Sequence, residues 1–400
     1  MAGACVGPSP KHDAPDPNPV VLRLIRQESV PLPLGETPQY YAALAGPDDG
    51  LWLCAAHCDA APQVIHRSGG RWGEWQPLAA SSWCGTHSIS VEPDAAGRPV
   101  VVWIGRDCEL EAQNRAASQA PNHFVPEAWA VVATRWTRTT WTPPIVVDRA
   151  NRIFAFCSLP SLRDKHGRIH AAYSRKLDPP EEYSVGWPVV DGESPGKCAH
   201  VIFDGENWSK PRFTTDRGRF DLRPLALSEG PSGVVLACEV HEIGLMFRQA
   251  FLEYQVFDGQ TWGGLIRVVA DPQLAACVVE DAWGHRLITY THWNPMDSRS
   301  KDHAAIYFQS VWGEKLTIPP DAACQNPIVT TDAAGRIALL SGQKGSGSSL
   351  RVWNGAVWSK ELTGLPETGW LRFGRSHSPT KLLLVNRESQ HFVLYEIAAE

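Results

Sequence analysis

Phe203-Asp204-Gly205-Glu206-Asn207-Trp208 returns as Phe257-Asp258-Gly259-Gln260-Thr261-Trp262 and again as Trp353-Asn354-Gly355-Ala356-Val357-Trp358. Each copy is an aromatic residue, a glycine-containing tight turn, and a tryptophan five residues after the aromatic. Variants run from Trp136 to Trp141, through Gly69-Gly70-Arg71-Trp72, and from Phe308 to Trp312. The closing residues Trp72, Trp141, Trp208, Trp262, Trp312 and Trp358 recur about every 57 residues, the period of one four-stranded sheet with generous loops.

A second mark alternates with the first. Asp94 to Gly97, Asp164 to Gly167, Asp281 to Gly284 and Asp332 to Gly335 each read D-x-x-G before an apolar run, with looser copies at Asp48-Asp49-Gly50 and Ser232-Gly233. Asp bonds its own backbone and Gly takes positive φ, so each predicts a hairpin. In every repeat D-x-x-G joins strands one and two, and the aromatic turn joins strands three and four. Six units are visible that way. Leu371 to Arg375, Lys381 to Val385 and Phe392 to Ile397 supply three strands of a seventh, and Val20 to Ile25 adds its fourth. The expectation is therefore an all-β, seven-bladed β-propeller of four-stranded antiparallel blades, its ring closed by the N-terminal strand. Residues 1–19 are expected to be disordered or extended and residues 20–400 a single propeller domain.

Composition narrows the function classes. A net charge of -6 and pI near 6.2 argue against nucleic acid and anionic membrane as partners. No run approaches the 18 or more apolar residues that a spanning helix needs. Residues 1–20 carry Pro, Asp, His and Lys in place of a secretory apolar core, so a cytoplasmic protein is expected if Met1 is the native start. The ten scattered cysteines are then expected to be free, mostly buried thiols. Oligomeric state carries no sequence signal.

The blade grammar resembles the sialidase-like propellers with BNR or Asp-box-type repeats, whose mark is S-x-D-x-G-x-x-W. Here Asp204-Gly205 and Asp258-Gly259 are adjacent and no Ser leads them. No arginine triad or Tyr/Glu nucleophile pair of true sialidases can be placed by motif. What the resemblance implies is the wider set of propeller polysaccharide lyases, glycosidases and lectins.

In such a ring the starts of inner strands and the ends of second strands open on one face. Counting from the hairpin glycines puts Tyr40, His87, Cys157, Arg223, Leu274, Gln325 and Trp370, with Arg372 beside it, at the inner-strand mouths. It puts His57, Arg106, Arg175, His241, His292, Gln343 and Arg387 at the second-strand ends. A ring of His, Arg, Gln and Tyr suits an oxygen-rich, anionic small molecule or oligosaccharide. From hairpin Gly to closing Trp, four units span roughly 22 to 29 residues, whereas the second and third span about 44 and 41. Their insertions, Asp107 to Ala128 and Lys176 to Cys198, read as long loops on the same face. Phe124, Trp129, Tyr183 and Trp187 there either stack on a sugar ring or pin their own loops.

The leading expectation is β-elimination from uronate-containing oligosaccharides. His87 or His292 serves as base, and Tyr40 or a further histidine such as His241 as acid. Arg175, Arg223 or Arg372 neutralises the carboxylate, with Arg106, Arg387, His57, Gln325 and Trp187 completing the binding set. Hydrolysis wants paired carboxylates, and Asp107, Asp221, Glu239 and Glu388 form no recognisable pair. A lectin or protein-interaction propeller is the non-catalytic alternative. Different residues at equivalent positions, Tyr40 against His87 against Arg223, favour one composite site over repeated lectin sites. No cofactor is expected; the competing use of the histidines is one divalent metal at the channel mouth, held by His57, His241 and His292.

Overall fold

The computed structural model describes residues 14–33, 37–47, 49–78, 82–117, 128–149, 158–176, 196–214, 220–242, 249–270, 274–294, 297–308, 315–317, 325–343, 347–367 and 371–400. The chain begins with β1 (Leu22–Pro31), then β2 (Tyr40–Ala45), β3 (Leu51–Ala56), β4 (Gln63–Ser68), β5 (Arg71–Trp72) and β6 (Gln76–Pro77). Next come β7 (Trp83–Pro93), β8 (Pro99–Asp107), helix α1 (Cys108–Ala117), β9 (Trp129–Arg135) and β10 (Ile145–Arg149). They are followed by β11 (Ser161–Arg163), β12 (Ile169–Lys176), β13 (Gly196–Phe203) and β14 (Arg212–Phe213). Then come β15 (Phe220–Gly230), β16 (Gly233–Glu242), β17 (Gln249–Phe257) and β18 (Ile266–Ala270). The next four are β19 (Leu274–Glu280), β20 (His285–Asn294), β21 (Asp297–Phe308) and β22 (Lys315–Thr317). Last are β23 (Gln325–Thr331), β24 (Ile337–Gln343), β25 (Gly347–Trp353), β26 (Leu362–Leu365), β27 (Leu371–Ser376), β28 (Lys381–Arg387) and β29 (His391–Ala399).

Strands β7 to β26 form five separate four-stranded antiparallel sheets, one for each consecutive group of four. The remaining path, β1-β29-β28-β27-β2-β3-β4-β5, consists of two antiparallel halves. They join only where Leu44 meets Arg375 and Ala45 meets Ser376 in parallel. First strands pack in a cycle: β2 on β7, β7 on β11, β11 on β15, β15 on β19, β19 on β23, β23 on β27 and β27 on β2. Sheets standing around a shared axis in this way form a β-propeller.

The hairpin carboxylates explain why the sheets start where they do. Asp94 Oδ1 accepts the N–H groups of Ala96 and Arg98, and its Oδ2 accepts Arg98 Nε at 2.7 Å. Asp164 repeats this with His166 and Arg168, Asp332 with Ala334 and Arg336, and Asp281 with Trp283 and His285. Gly97, at φ 76°, takes the left-handed conformation that turns the chain back. The aromatic turns behave alike: Asp204 Oδ1 accepts from Glu206 and Asn207, and Phe203 and Trp208 pair with ring centroids 5.2 Å apart.

The apolar surface lies between sheets. Val100, Val102, Ile104 and Val131 of one sheet meet Ile169, Ala171, Tyr173 and Val201 of the next, all essentially inaccessible. Middle strands are covered on both faces, which is why β8 reads Val100-Val101-Val102-Trp103-Ile104 without alternation.

Two expectations fail. Cys84, at the start of β7, and Cys108, the first residue of α1, form a disulfide with Cα atoms 5.9 Å apart. Among the described residues the free thiols are Cys54, Cys58, Cys198, Cys238 and Cys277. The insertion after Asp107 opens as helix, not loop. Asp107 caps it by accepting the Leu110 N–H at 3.0 Å, and Glu109 and Glu111 place acidic charge in its first turn. The β7–β8 hairpin sets Asp107 opposite Trp83, and the Cys108 N–H donates to the Ser82 carbonyl at 3.0 Å, so two cysteines 24 residues apart become neighbours. Among the described residues no helix is long and apolar enough to cross a membrane.

Strand β1 runs antiparallel to β29 from Leu22 opposite Ala399 to Pro31 opposite His391, and its Val30 is fully buried with Leu383, Val385 and Phe392. Removing the chain through Pro31 bares the edge of β29 and this apolar cluster. The truncated protein should be insoluble or melt well below the full chain in calorimetry; equal melting would show that β1 contributes nothing to the sheet.

Candidate functional site

Bulges recur at one end of the inner strands. Register slips between Thr86 and Ser88 in β7, Pro224 and Ala226 in β15, Leu274 and Cys277 in β19, and Gln325 and Ile328 in β23. A bulge re-aims the side chain it carries. His87 is the extra residue in β7, and its ring turns edge-on to Trp129, 4.4 Å between centroids, and toward Tyr40, whose hydroxyl lies 3.4 Å from His87 Nδ1. Trp129 is buried, so it supports His87 rather than stacking on a ligand.

Tyr40 heads β2 and, with Tyr41, Ser88, Ser158, Leu225 and Arg372, lines a cavity of about 440 Å³ along the channel. Burial, with the Cys58 thiol nearby, raises the Tyr40 phenol above its ordinary range, so it stays protonated at neutral pH and available as an acid. Tyr41 is likewise raised by burial, opposed by the guanidiniums of Arg372 and Arg387. Those two arginines are close enough that, after burial, Arg372 helps depress Arg387. Arg387 Nη1 donates to the Pro38 carbonyl. Arg372 is exposed and, among the described residues, forms no ion pair. Arg372 lines the cavity with a second guanidinium nearby, a charge arrangement that favours an anion.

The remaining expected residues divide. His57 follows β3 directly, and its carbonyl accepts the Thr86 N–H, so it joins Tyr40 and His87 at the boundary of two sheets. Arg223 lies in β15 opposite Glu239, half-buried, two residues before the cavity residue Leu225. Arg106 is committed elsewhere: its Nε and Nη2 grip Glu111 of α1 at 2.7 and 2.9 Å. Arg175 faces Asp148 at 3.6 Å and lies over the Phe213 ring, and it does not line the cavity. The backbones of His241, His292, Gln325 and Gln343 sit near the ends of β16, β20, β23 and β24, and their side chains lie outside the described set. Trp187, Tyr183, Phe124, Cys157 and Trp370 lie outside the described residues altogether.

Sequence counting missed the centre of the channel. Arg375 of β27 reaches across it, donating from Nε to Glu92 of β7 at 2.7 Å, from Nη1 to Thr330 of β23 at 3.2 Å, and to the Ser161 carbonyl of β11. Ser161 in turn donates to Glu92 at 2.6 Å. This bridge separates the 440 Å³ cavity from a second one of about 280 Å³ beneath the hairpin turns. The second cavity is rich in charge, and several of its charged groups are held in ion pairs. Glu92 holds Arg375, Asp332 holds Arg336, and Lys381 holds Glu396. Burial opposes ionisation of Asp164, yet hydrogen bonds from His170 and Arg168 outweigh it and hold its carboxyl at about 2. The Tyr/His/Arg mouth, in contrast, brings a phenol, an imidazole and a guanidinium to one end of the ring.

No family model and no curated protein sequence matches the chain. Solved structures do resemble it. The BP39L lectin from Burkholderia pseudomallei superposes with a TM-score of 0.57 at 10% identity, over 90% of this chain and 96% of that one. The polysaccharide lyase Uly1 gives 0.53 at 8% identity, over 87% and 88%. A PL25 ulvan lyase bound to -[GlcA(1-4)Rha3S]- gives 0.51 at 12% identity, over 93% and 96%. At these identities the likeness is one of fold.

Glu229, in the lower cavity, is held up at about 7, chiefly by burial, although it accepts the Lys165 N–H at 2.6 Å. A carboxyl raised above its ordinary 4.5 binds its proton more tightly in the folded state, so stability falls as pH rises from about 4.5 to about 7. Glu229→Gln should therefore melt higher than the native chain above about pH 7, with the gap closing below about pH 4.5. A gap that does not vary with pH would contradict this assignment.

Proposed function

We propose that the chain is a seven-bladed propeller closed by β1, and that the cavity bounded by Tyr40, Tyr41 and Arg372 binds an acidic sugar and eliminates across its C4–C5 bond. The observation that carries this reading is the Tyr40 Oη to His87 Nδ1 approach of 3.4 Å at the rim of a cavity that Arg372 also lines. Arg372, with Arg387 behind it, neutralises the uronate carboxylate and so acidifies the adjacent C5–H. His87 takes that proton. The electron pair forms the C4=C5 bond as C4–O4 breaks, and the Tyr40 phenol protonates the departing oxygen. Trp129 and the bulge hold the imidazole in place. Two polysaccharide lyases among the structural neighbours are consistent with this reading.

A lectin is the second reading, and one observation favours it. Trp52, Trp72, Trp136 and Trp141, with His66, Arg71 and Gln76, line a separate cleft of about 370 Å³ between outer strands. Aromatic faces beside hydrogen-bonding groups suit a pyranose ring.

Incubation with uronate-containing oligosaccharides should generate the absorbance of a new unsaturated uronate. His87→Ala and Tyr40→Phe should each lower kcat on the order of 10²-fold, leaving melting little changed. Arg372→Ala should weaken acidic substrates far more than neutral ones. Binding without turnover, indifferent to all three changes, would favour the lectin.

A further inference from the structure

His57, Cys58 and Asp59 follow β3 as a turn in which the Ala60 N–H donates to the His57 carbonyl at 3.3 Å. Such a tight reversal gathers three consecutive side chains that an extended strand would send to alternate faces. The distances are 3.7 Å from Cys58 Sγ to His57 Nδ1, 3.2 Å from Cys58 Sγ to Asp59 Oδ2, and 3.9 Å from His57 Nδ1 to Asp59 Oδ2. Tetrahedral zinc, with metal–ligand bonds of about 2.0 to 2.3 Å, sets its ligand atoms roughly 3.3 to 3.6 Å apart. The three atoms therefore already sit near the corners of one face of such a site.

We propose that His57 Nδ1, Cys58 Sγ and an Asp59 carboxylate oxygen bind a thiophilic divalent cation of the zinc class, leaving one position open. The donor set selects the metal: a thiolate with an imidazole favours zinc or cobalt over magnesium or calcium, which prefer oxygen alone. The tautomer also fits. Asp59 N–H donates to His57 Nδ1 at 3.2 Å, which puts the proton on Nε2 and the lone pair on Nδ1; the metal would take that lone pair in place of the Asp59 N–H.

The turn is held rigidly from the neighbouring sheet. Thr86 N–H donates to the His57 carbonyl at 3.1 Å and Thr86 Oγ1 to the Ala60 carbonyl at 3.0 Å. A Cβ at Gly85 would come within 2.6 Å of the Cys58 carbonyl, so only glycine lets β7 approach this closely. Cys58 and His57 are half-buried and Asp59 exposed, which leaves an entry path for the ion. The site stands on its own geometry and holds whether or not the adjacent Tyr40 mouth is catalytic.

The test is titration of the metal-stripped full chain with Co²⁺ alone, read by absorption. One equivalent should produce a thiolate-to-cobalt charge-transfer band and the visible bands of tetrahedral cobalt, both bleached by added Zn²⁺. Cys58→Ser should abolish the charge-transfer band, and His57→Ala or Asp59→Asn should each weaken binding about 10-fold or more. Far-UV circular dichroism and melting of each variant check folding, and the conservative Asp59→Asn keeps the test valid if His57→Ala misfolds. Absence of the bands in the native chain, or bands of full intensity in Cys58→Ser, would overturn the site.

Discussion

A buried carboxylate that closes a hairpin is the interaction on which the rest of the structure depends. Asp94, Asp164, Asp281 and Asp332 are each buried or nearly so, and each is engaged by two backbone N–H groups and at least one side-chain N–H. An unpaired charge there would cost several kcal/mol, so the turn and its partner form together. The same groups also tie sheet to sheet. Trp353 Nε1 of β25 donates to Asp281 at 3.1 Å, and Arg336, held by Asp332, donates to the Ala399 carbonyl of β29 at 3.0 Å. One end of β7, β11, β19 and β23 is thereby fixed, and bulges collect at the other end of β7, β19 and β23.

That division bears on the proposed site. Beneath the turns several charges are paired, and Arg375 with Glu92 spans the axis as a polar partition. Above it, bulges in β7, β15, β19 and β23 interrupt the ladders, and His87, Tyr40, Arg372 and the His57 turn face one region without being consumed by hairpin pairing. The disulfide from Cys84 to Cys108 and the Arg106–Glu111 fork pin α1 beside this region, giving the boundary of the first two sheets more covalent and ionic support than a loop would supply.

Much of the architecture was legible because it is written in turn chemistry. The D-x-x-G and aromatic marks identify the strand junctions correctly, since Asp or Asn with Gly favours such turns, although the Trp136 to Trp141 turn is made without either, with Arg138 at φ 102°. Arg98, Arg168, His285 and Arg336, each following the hairpin glycine, belong to the same mark and went unread. The site was harder to read, for local reasons. Bulges shift β7, β15, β19 and β23 relative to a count from their glycines, so β7 begins at Trp83, ahead of His87. Arg106 and Arg175 resemble free cations until Glu111 and Asp148 arrive from other elements. Cys108 meets Cys84 because the β7–β8 register sets Asp107 opposite Trp83 across a bulge, and the helix signals behind it, Asp107 at the cap and Glu109 and Glu111, lay inside an insertion read as loop. Arg375 and Glu229 matter because of where the ring closes, and no spacing in the chain announces that.

The central claim is that the Arg372 mouth recognises a carboxylate. Its most direct test is calorimetric comparison of a uronate-containing oligosaccharide with the same oligosaccharide after reduction of its carboxyl groups, at fixed ionic strength. The account predicts that the acidic form binds about 10-fold or more tightly, and that the preference disappears in Arg372→Ala. Equal affinity for the two forms in the native chain would contradict it.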